Sequence, residues 1–297
     1  MTDDTLRMGL VGAGPWAHKV HGPGIAAHPA TELVATWARR PEAAADVAKL
    51  GGATPYADFD EFLTKVDAVA FAVPPSAQAP MAARAARAGK HVILEKPVAA
   101  SVAEAELLVD AVARAGVASL MVLTFRYGAE TRAWLAEVHR LGGWEGGAAR
   151  WFSGTLLDAK YENSRWRHDG GALADIGPHV FDLLDAALGR VTDVLDARRT
   201  GTDLWHVTLG HENGRVSTST LSMHTPTTPP ITDFAVHGEH GFLAFDAAGE
   251  AQNRYAALLD DFVELISNNR TEHPLDVRRG LHLQRLLEGV TDQLAGG

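Results

Sequence analysis

The sequence predicts an α/β protein in two parts, and three observations support that prediction. Short apolar runs alternate with alanine-rich helical stretches through roughly the first 120 residues, the rhythm of a parallel sheet with crossover helices. The first of those runs ends in a glycine-rich turn, Gly12-Ala13-Gly14. After about Phe125 the extended runs lengthen and carry hairpin signals, which reads as an antiparallel sheet with one or more helices. A chain of 297 residues is long enough for two domains, divided here as 1–124 and 125–297, with the C-terminal helix able to pack back on the first.

Composition narrows the function classes. A formal charge of −10 and the lack of a long basic block oppose binding to nucleic acid. No apolar run approaches the roughly 18 residues of a membrane span, so no membrane partner is expected. The chain has no cysteine, which removes disulfides, thiol nucleophiles and thiolate metal sites together. Its N-terminus lacks the basic and apolar regions of a signal peptide, so a cytoplasmic location is expected.

Element by element, strands are predicted at Leu6–Val11, Glu32–Trp37, Asp67–Val73, His91–Glu95 and Val117–Leu123, with helices at Pro41–Leu50, Ala79–Ala88 and Val102–Ala115. Ser101-Val-Ala-Glu104 is a capping-box pattern for the last helix, which leaves Glu95–Ala100 as a strand end and loop. A helix over Glu130–Leu141 leads to strands at Gly146–Gly154, Val191–Arg199, Asp203–Gly210, Arg215–Met223, Ile231–His237 and Gly241–Asp246. Asn213-Gly214 is a tight hairpin pair. Amphipathic helices over Tyr255–Asn268 and Leu275–Leu294 close the chain.

The run Gly12-Ala13-Gly14-Pro15-Trp16-Ala17 follows a strand and opens a helix. Gly12 can make the tight turn, Gly14 lets backbone approach a pyrophosphate, and Ala17 allows close helix–strand packing. The helix start would offer free N–H groups to the phosphates. At the first strand–helix junction of a doubly wound pattern, this reads as a Rossmann dinucleotide-binding domain. The second strand runs into Ala38-Arg39-Arg40 with no carboxylate at its tip, so NADP(H) is preferred, with NAD(H) possible.

Three groups could do chemistry. Lys96 leaves the apolar strand His91–Leu94 and is restricted to extended backbone by Pro97, which aims a cation at the functional edge of the sheet. Asp175 and His179 are four residues apart at the start of a helix, with Pro178 in its first turn, and would share one face. His179 is the expected general acid/base, and Lys96 would stabilise negative charge on a reacting oxygen or relay the proton itself. Asp175 would orient His179 or hold a substrate hydroxyl. His237-Gly-Glu-His240 lies in a hairpin turn with no third ligand near, so no metal is expected. Asp182 reads as a helix-surface charge and Arg278-Arg279 as a solvated face.

The chain resembles the Gfo/Idh/MocA oxidoreductases, on Gly12–Ala17, on Asp67–Pro75 leading to Ala88-Gly-Lys-His-Val-Ile-Leu-Glu-Lys-Pro97, and on Gly170-Gly171-Ala-Leu-Ala-Asp175-Ile-Gly-Pro-His179-Val-Phe-Asp182. The resemblance implies a Rossmann domain followed by an α/β domain with a large, mostly antiparallel open sheet, through which homodimers or homotetramers often form. It also implies hydride exchange between NAD(P) and a sugar, cyclitol or related secondary alcohol or ketone. Expected cofactor contacts are Gly12, Gly14, Pro15, Trp16, Ala17, Arg39, Arg40, Pro74, Gln78, Glu95 and Lys96. Expected substrate contacts are Lys96, Arg126, Trp166, Arg167, Asp175 and His179; Trp151 and Tyr161 could add aromatic faces, although the strand position of Trp151 suits core packing at least as well. Gln78 stands shortly after the fourth-strand prolines, where the family often has histidine, and cannot transfer a proton. Thr124-Phe125-Arg126-Tyr127 departs from the family near Thr124 on the substrate side. A non-catalytic dinucleotide sensor of the same fold, or a reductase of a non-sugar carbonyl or conjugated double bond, stays open as an alternative.

Overall fold

The computed structural model describes residues 5–158, 164–246 and 251–295. The chain divides into two compact units, Met1–Thr124 with Glu250–His282, and Phe125–Gly249 with Leu283–Gly297.

In the first unit six strands, β1 (Leu6–Val11), β2 (Thr31–Trp37), β3 (Thr54–Tyr56), β4 (Ala68–Phe71), β5 (His91–Leu94) and β6 (Ser119–Met121), pair in parallel. Their order is β3-β2-β1-β4-β5-β6, the doubly wound arrangement. Met8, Leu10, Val69, Phe71, Val92, Ile93 and Leu120 are fully enclosed, which explains why these strands read as continuous apolar runs. Helices α1 (Gly22–Ala27), α2 (Pro41–Ala48), α3 (Phe59–Leu63), α4 (Pro75–Arg87) and α5 (Val102–Ala115) connect them. The buried side of α4 is Ala79, Ala82, Ala83, Ala85 and Ala86 with Gln78, small enough to sit close to its neighbours. The α5 cap forms as expected from Ser101, whose Oγ accepts from the Glu104 N–H at 3.2 Å. The returning bond is shifted by one residue, with the Ala100 N–H donating to Glu104 Oε2 at 3.1 Å.

Neither β3 nor α3 has a counterpart in the sequence reading. β3 is three residues long, contains Pro55 and lies on the sheet edge, so it offers neither an apolar run nor alternation. The helix after β1 begins with a π-helical turn, Ala17–His21, and continues as α1 through Gly22-Pro23-Gly24.

The second unit is built on β7 (Trp144–Phe152), β8 (Val191–Thr200), β9 (Leu204–His211), β10 (Val216–Ser222), β11 (Ile231–Gly238) and β12 (Gly241–Asp246), in the order β12-β11-β7-β10-β9-β8. This sheet is mixed and mostly antiparallel, and its central pair, β7 with β10, is parallel. The mostly antiparallel sheet expected from the sequence is thus present, with one parallel pair at its centre. The chain leaves β7 through a helical segment before entering the β8–β9–β10 meander, and such a crossover permits parallel pairing. Helices α6 (Ala129–Leu141), α7 (Arg165–Asp175) and α8 (Gly177–Leu188) complete this part, and α8 is buried on nearly every side.

α7 is not straight. Gly171 adopts φ +57°, ψ −152° inside it, and a Cβ there would collide with Asp203 Oδ1. Asp203 is itself buried, accepting from the Ala172 N–H and Trp205 Nε1 at 2.8 Å each through Oδ1, and from the Met223 N–H at 2.9 Å through Oδ2. The carboxylate thus ties the kink of α7 to β9 and to the end of β10. Two helices end the chain, α9 (Ala251–Ser267), which returns to the first unit, and α10 (Val277–Ala295). Tyr255, Leu258, Leu259 and Phe262 of α9 are fully enclosed.

Two substitutions test the kink. Asp203→Ala strands two backbone donors and an indole N–H, and is expected to lower stability by about 3–5 kcal/mol in urea denaturation. Gly171→Ala combines a positive φ with the collision and is expected to cost about 2–4 kcal/mol in the same measurement.

Candidate active site

The first cluster of functional groups lies where β1 and β4 end side by side. Gly12 has φ +116°, and a Cβ on it would overlap the Ala72 carbonyl oxygen, so only glycine lets the chain turn here. The Gly12 N–H donates to the Trp37 carbonyl at 2.9 Å, which closes the turn against the end of β2. A Cβ on Gly14 would meet nothing within 4 Å, so this backbone borders open space. Ala17 is buried, Trp16 half-buried and Pro15 exposed. A bare turn ahead of a helix, at the switch point of a doubly wound sheet, fits the pyrophosphate of a dinucleotide. Arg39 and Arg40 are exposed after β2, and the nearest ion pair there is a loose Arg40–Glu42 contact at 3.8 Å. Pro74 is exposed after β4.

Glu95, Lys96 and Pro97 follow β5. Gln78, expected to face a cofactor, is instead fully buried and holds this loop. Its Oε1 accepts from the Glu95 N–H at 2.8 Å, and its Nε2 donates to the carbonyls of Glu95 at 2.6 Å, Val98 at 3.0 Å and Pro97 at 3.3 Å. The amide thus does for the loop what a neighbouring strand would do, satisfying buried backbone groups. Lys96 is half-buried on this fixed segment. The Glu95 side chain reaches His21, with Oε1 at 2.8 Å from Nε2.

In the second unit His179 is buried in the first turn of α8. Its ring lies edge-on to Phe125 at 5.3 Å and stacks with Trp151 at 6.0 Å, while Phe125 and Trp151 meet edge-on at 4.9 Å. Asp175 does not share one continuous helix with His179, as the four-residue spacing suggested. It ends α7, Ile176 breaks the helix, and α8 starts at Gly177. Asp175 accepts from Arg167 Nε at 3.0 Å, and the Arg167 guanidinium lies over Trp166 at 4.4 Å from its ring centre. Arg126 donates from one nitrogen to both oxygens of Asp182, at 3.1 and 3.2 Å. Asp182 is not the surface charge that the sequence suggested, since it is 1% exposed.

Tyr161 lies outside the described residues. Among the described residues no group of three or more His, Asp or Glu side chains could hold a metal ion. Among the described residues no helix is long and apolar enough to cross a membrane. Sequence reasoning missed Asp203, an acid in a turn with no motif around it, and His21 and Tyr255, which are 234 residues apart in sequence.

Fold and site together define a dinucleotide-binding Rossmann domain joined to an α/β domain with a mixed sheet. Residues 6–124 match the oxidoreductase family with an NAD-binding Rossmann fold, and residues 142–244 match the GFO/IDH/MocA C-terminal domain. The chain belongs to this Gfo/Idh/MocA family. It is 34% identical over 190 residues to a dTDP-3,4-didehydro-2,6-dideoxy-α-D-glucose 3-reductase of Streptomyces violaceoruber, covering 62% of this chain and 55% of that protein. It is 30% identical over 193 residues to a galactose 1-dehydrogenase of Pseudomonas fluorescens, covering 64% and 57%. The chain thus spans little more than half the length of these two relatives. Among solved structures it resembles the WlbA dehydrogenase from Bordetella pertussis in complex with NADH and UDP-GlcNAcA, with a TM-score of 0.85, 25% identity, and 99% and 97% of the two chains covered. It also resembles a variant of a 3-ketoreductase from Actinomadura kijaniata in complex with TDP-benzene and NADP, with a TM-score of 0.80, 20% identity, and 98% of each chain covered.

Gln78→Leu leaves the Glu95–Val98 main chain without its buried partners. It is expected to lower stability by about 2–4 kcal/mol and to raise hydrogen exchange at the Glu95 amide well above that of the β5 core.

Proposed function

We propose that the protein moves hydride between a nicotinamide dinucleotide and a secondary alcohol or ketone of a sugar or cyclitol. The observation that carries this reading is the bare Gly12–Gly14 backbone at the β1/β4 switch point, facing open space ahead of a helix start. When bound, the nicotinamide supplies or accepts the hydride.

The chain's own residues handle the proton and the charge. Lys96, on a loop whose backbone Gln78 holds, hydrogen-bonds the reacting oxygen and stabilises negative charge as it develops. His179 gives or takes the hydroxyl proton, its ring bounded by Phe125 and Trp151. Asp175 holds a substrate hydroxyl while Arg167 fixes its carboxylate by a charge-assisted hydrogen bond at 3.0 Å. Arg126 and Arg167 are matched by Asp182 and Asp175, which leaves little surplus positive charge among these groups. That balance favours an uncharged polyol or ketose moiety over a free acid.

Arg39 and Arg40 support NADP(H) over NAD(H). They are exposed at the end of β2 with no carboxylate at its tip, where a 2′-phosphate would be paired and a 2′-hydroxyl would lack its usual acidic partner. The polyol-binding chain acts as a homodimer or homotetramer through the outer face of the second sheet, where Val216, Ile231 and Phe242 are exposed.

Fluorescence titration with NADPH and NADH tests the cofactor first. NADPH is expected to bind more tightly, and an Arg39→Ala/Arg40→Ala variant is expected to lose roughly ten- to a hundredfold in NADPH affinity with NADH unchanged. Binding of neither nucleotide would overturn the reading. On a sugar or cyclitol found by screening, His179→Ala is expected to lower turnover by about 10²- to 10⁴-fold with little effect on cofactor affinity.

A further inference from the structure

Next to Lys96 the first unit carries a chain of three titratable groups, two of them fully buried, that the proposed reaction does not use. Tyr255 of α9 is fully enclosed, and its hydroxyl lies 2.9 Å from His21 Nδ1. His21, also fully enclosed, places Nε2 2.8 Å from Glu95 Oε1. Glu95 Oε2 in turn accepts from the Lys96 N–H at 3.3 Å. Tyr255 is held in register by its ring, which packs edge-on to His21 at 4.8 Å and against the backbone at Gly24, where a Cβ would come within 2.5 Å of Tyr255 Cδ1.

The donor order follows from chemistry. An ionised carboxylate only accepts, so His21 donates to it through Nε2, and an imidazole carrying its one proton there accepts at Nδ1 from the Tyr255 hydroxyl. Burial first, and the negative charge of Glu95 second, push the Tyr255 phenol well above its ordinary range, so it remains a donor. Each bond polarises the next toward the carboxylate. The described groups facing the Glu95 side chain are His21 from the helix after β1, with Tyr255 of α9 behind it, and the Lys96 N–H on its own loop. Gln78 of α4 takes the Glu95 main chain and brings no charge.

We propose that His21 and Tyr255 are positioning residues that hold Glu95 as a fixed negative charge beside Lys96, so that Lys96 presents an ammonium group to the reacting oxygen. Without those donors the Glu95 carboxylate would lose the hydrogen bonds that seat it, and Lys96 would lose a negative charge held in one place beside it. The proposal rests on the reading of Lys96 given above, and its test needs neither substrate nor nucleotide.

The chain contains six lysines, few enough to resolve singly by NMR after reductive ¹³C-methylation, with the Lys96 signal identified by its loss in Lys96→Arg. In Glu95→Gln the Lys96 signal is expected to move to lower pH relative to the unsubstituted protein, because a unit charge is removed nearby. Tyr255→Phe keeps the ring and its packing, and His21→Asn removes the relay. Both are expected to shift Lys96 in the same direction by a smaller amount, with the other five lysines unmoved. An unmoved Lys96 signal in Glu95→Gln would overturn the proposal, as would a shift in Glu95→Gln with none in folded Tyr255→Phe and His21→Asn. NADPH titration of the same samples keeps the two readings apart, since a protein that binds no dinucleotide still reports whether the relay acts on Lys96.

Discussion

Parallel pairing of β1 with β4 is the constraint on which the rest of the first unit depends. Two parallel strands end on the same edge, so the turns that follow them are forced together. The Gly12 turn then meets the Ala72 carbonyl, and no side chain fits between. The same edge receives α4 after β4 and the Glu95–Pro97 loop after β5, because β5 pairs with β4 in the same sense. Placement of the chemistry is thus a result of strand direction, and only the local turns depend on particular residues.

Loops at such an edge carry backbone groups that no strand satisfies. In this chain buried polar side chains satisfy them. The Gln78 amide serves the Glu95–Val98 segment, and the Asp203 carboxylate serves Ala172 and Met223 in the second unit. Both are interior groups whose hydrogen bonds go mainly to main chain, with the Trp205 indole and the His224 imidazole as further partners of Asp203. The cost of burying an unpaired polar group gives each arrangement its uniqueness, since no shifted register would satisfy the same donors.

Charge is treated in the same way around the second unit's candidate site. Asp182 and Asp175 each sit beside an arginine, and the arginine side chains are largely covered, at 18% and 19% exposure. Partly buried pairs of this kind contribute little net stability against apolar replacements, yet removing one partner leaves an expensive lone charge. Each pair holds its two side chains in one orientation.

Much of this was legible in the sequence because it rests on local rules. Buried parallel strands show as apolar runs, the glycine turn as a spacing, the α5 start as a serine followed by a glutamate, and the β11–β12 hairpin as two runs around a short polar turn. Lys96, Asp175 and His179 are singled out by the residues beside them. What local rules could not supply are relations between distant segments: that Gln78 points inward to the loop, that Asp203 underlies the kink at Gly171, that Asp182 is buried, and that Tyr255 returns to His21 across most of the chain. The short edge strand β3 and the break at Ile176 were also out of reach, since neither produces a period long enough to read. By itself the sequence determined most of the element types, the doubly wound half and the family, because propensity, spacing and turn chemistry act over a few residues. Only the tertiary structure decided which polar side chains serve as struts, because burial and hydrogen-bond partnership are properties of where distant segments meet.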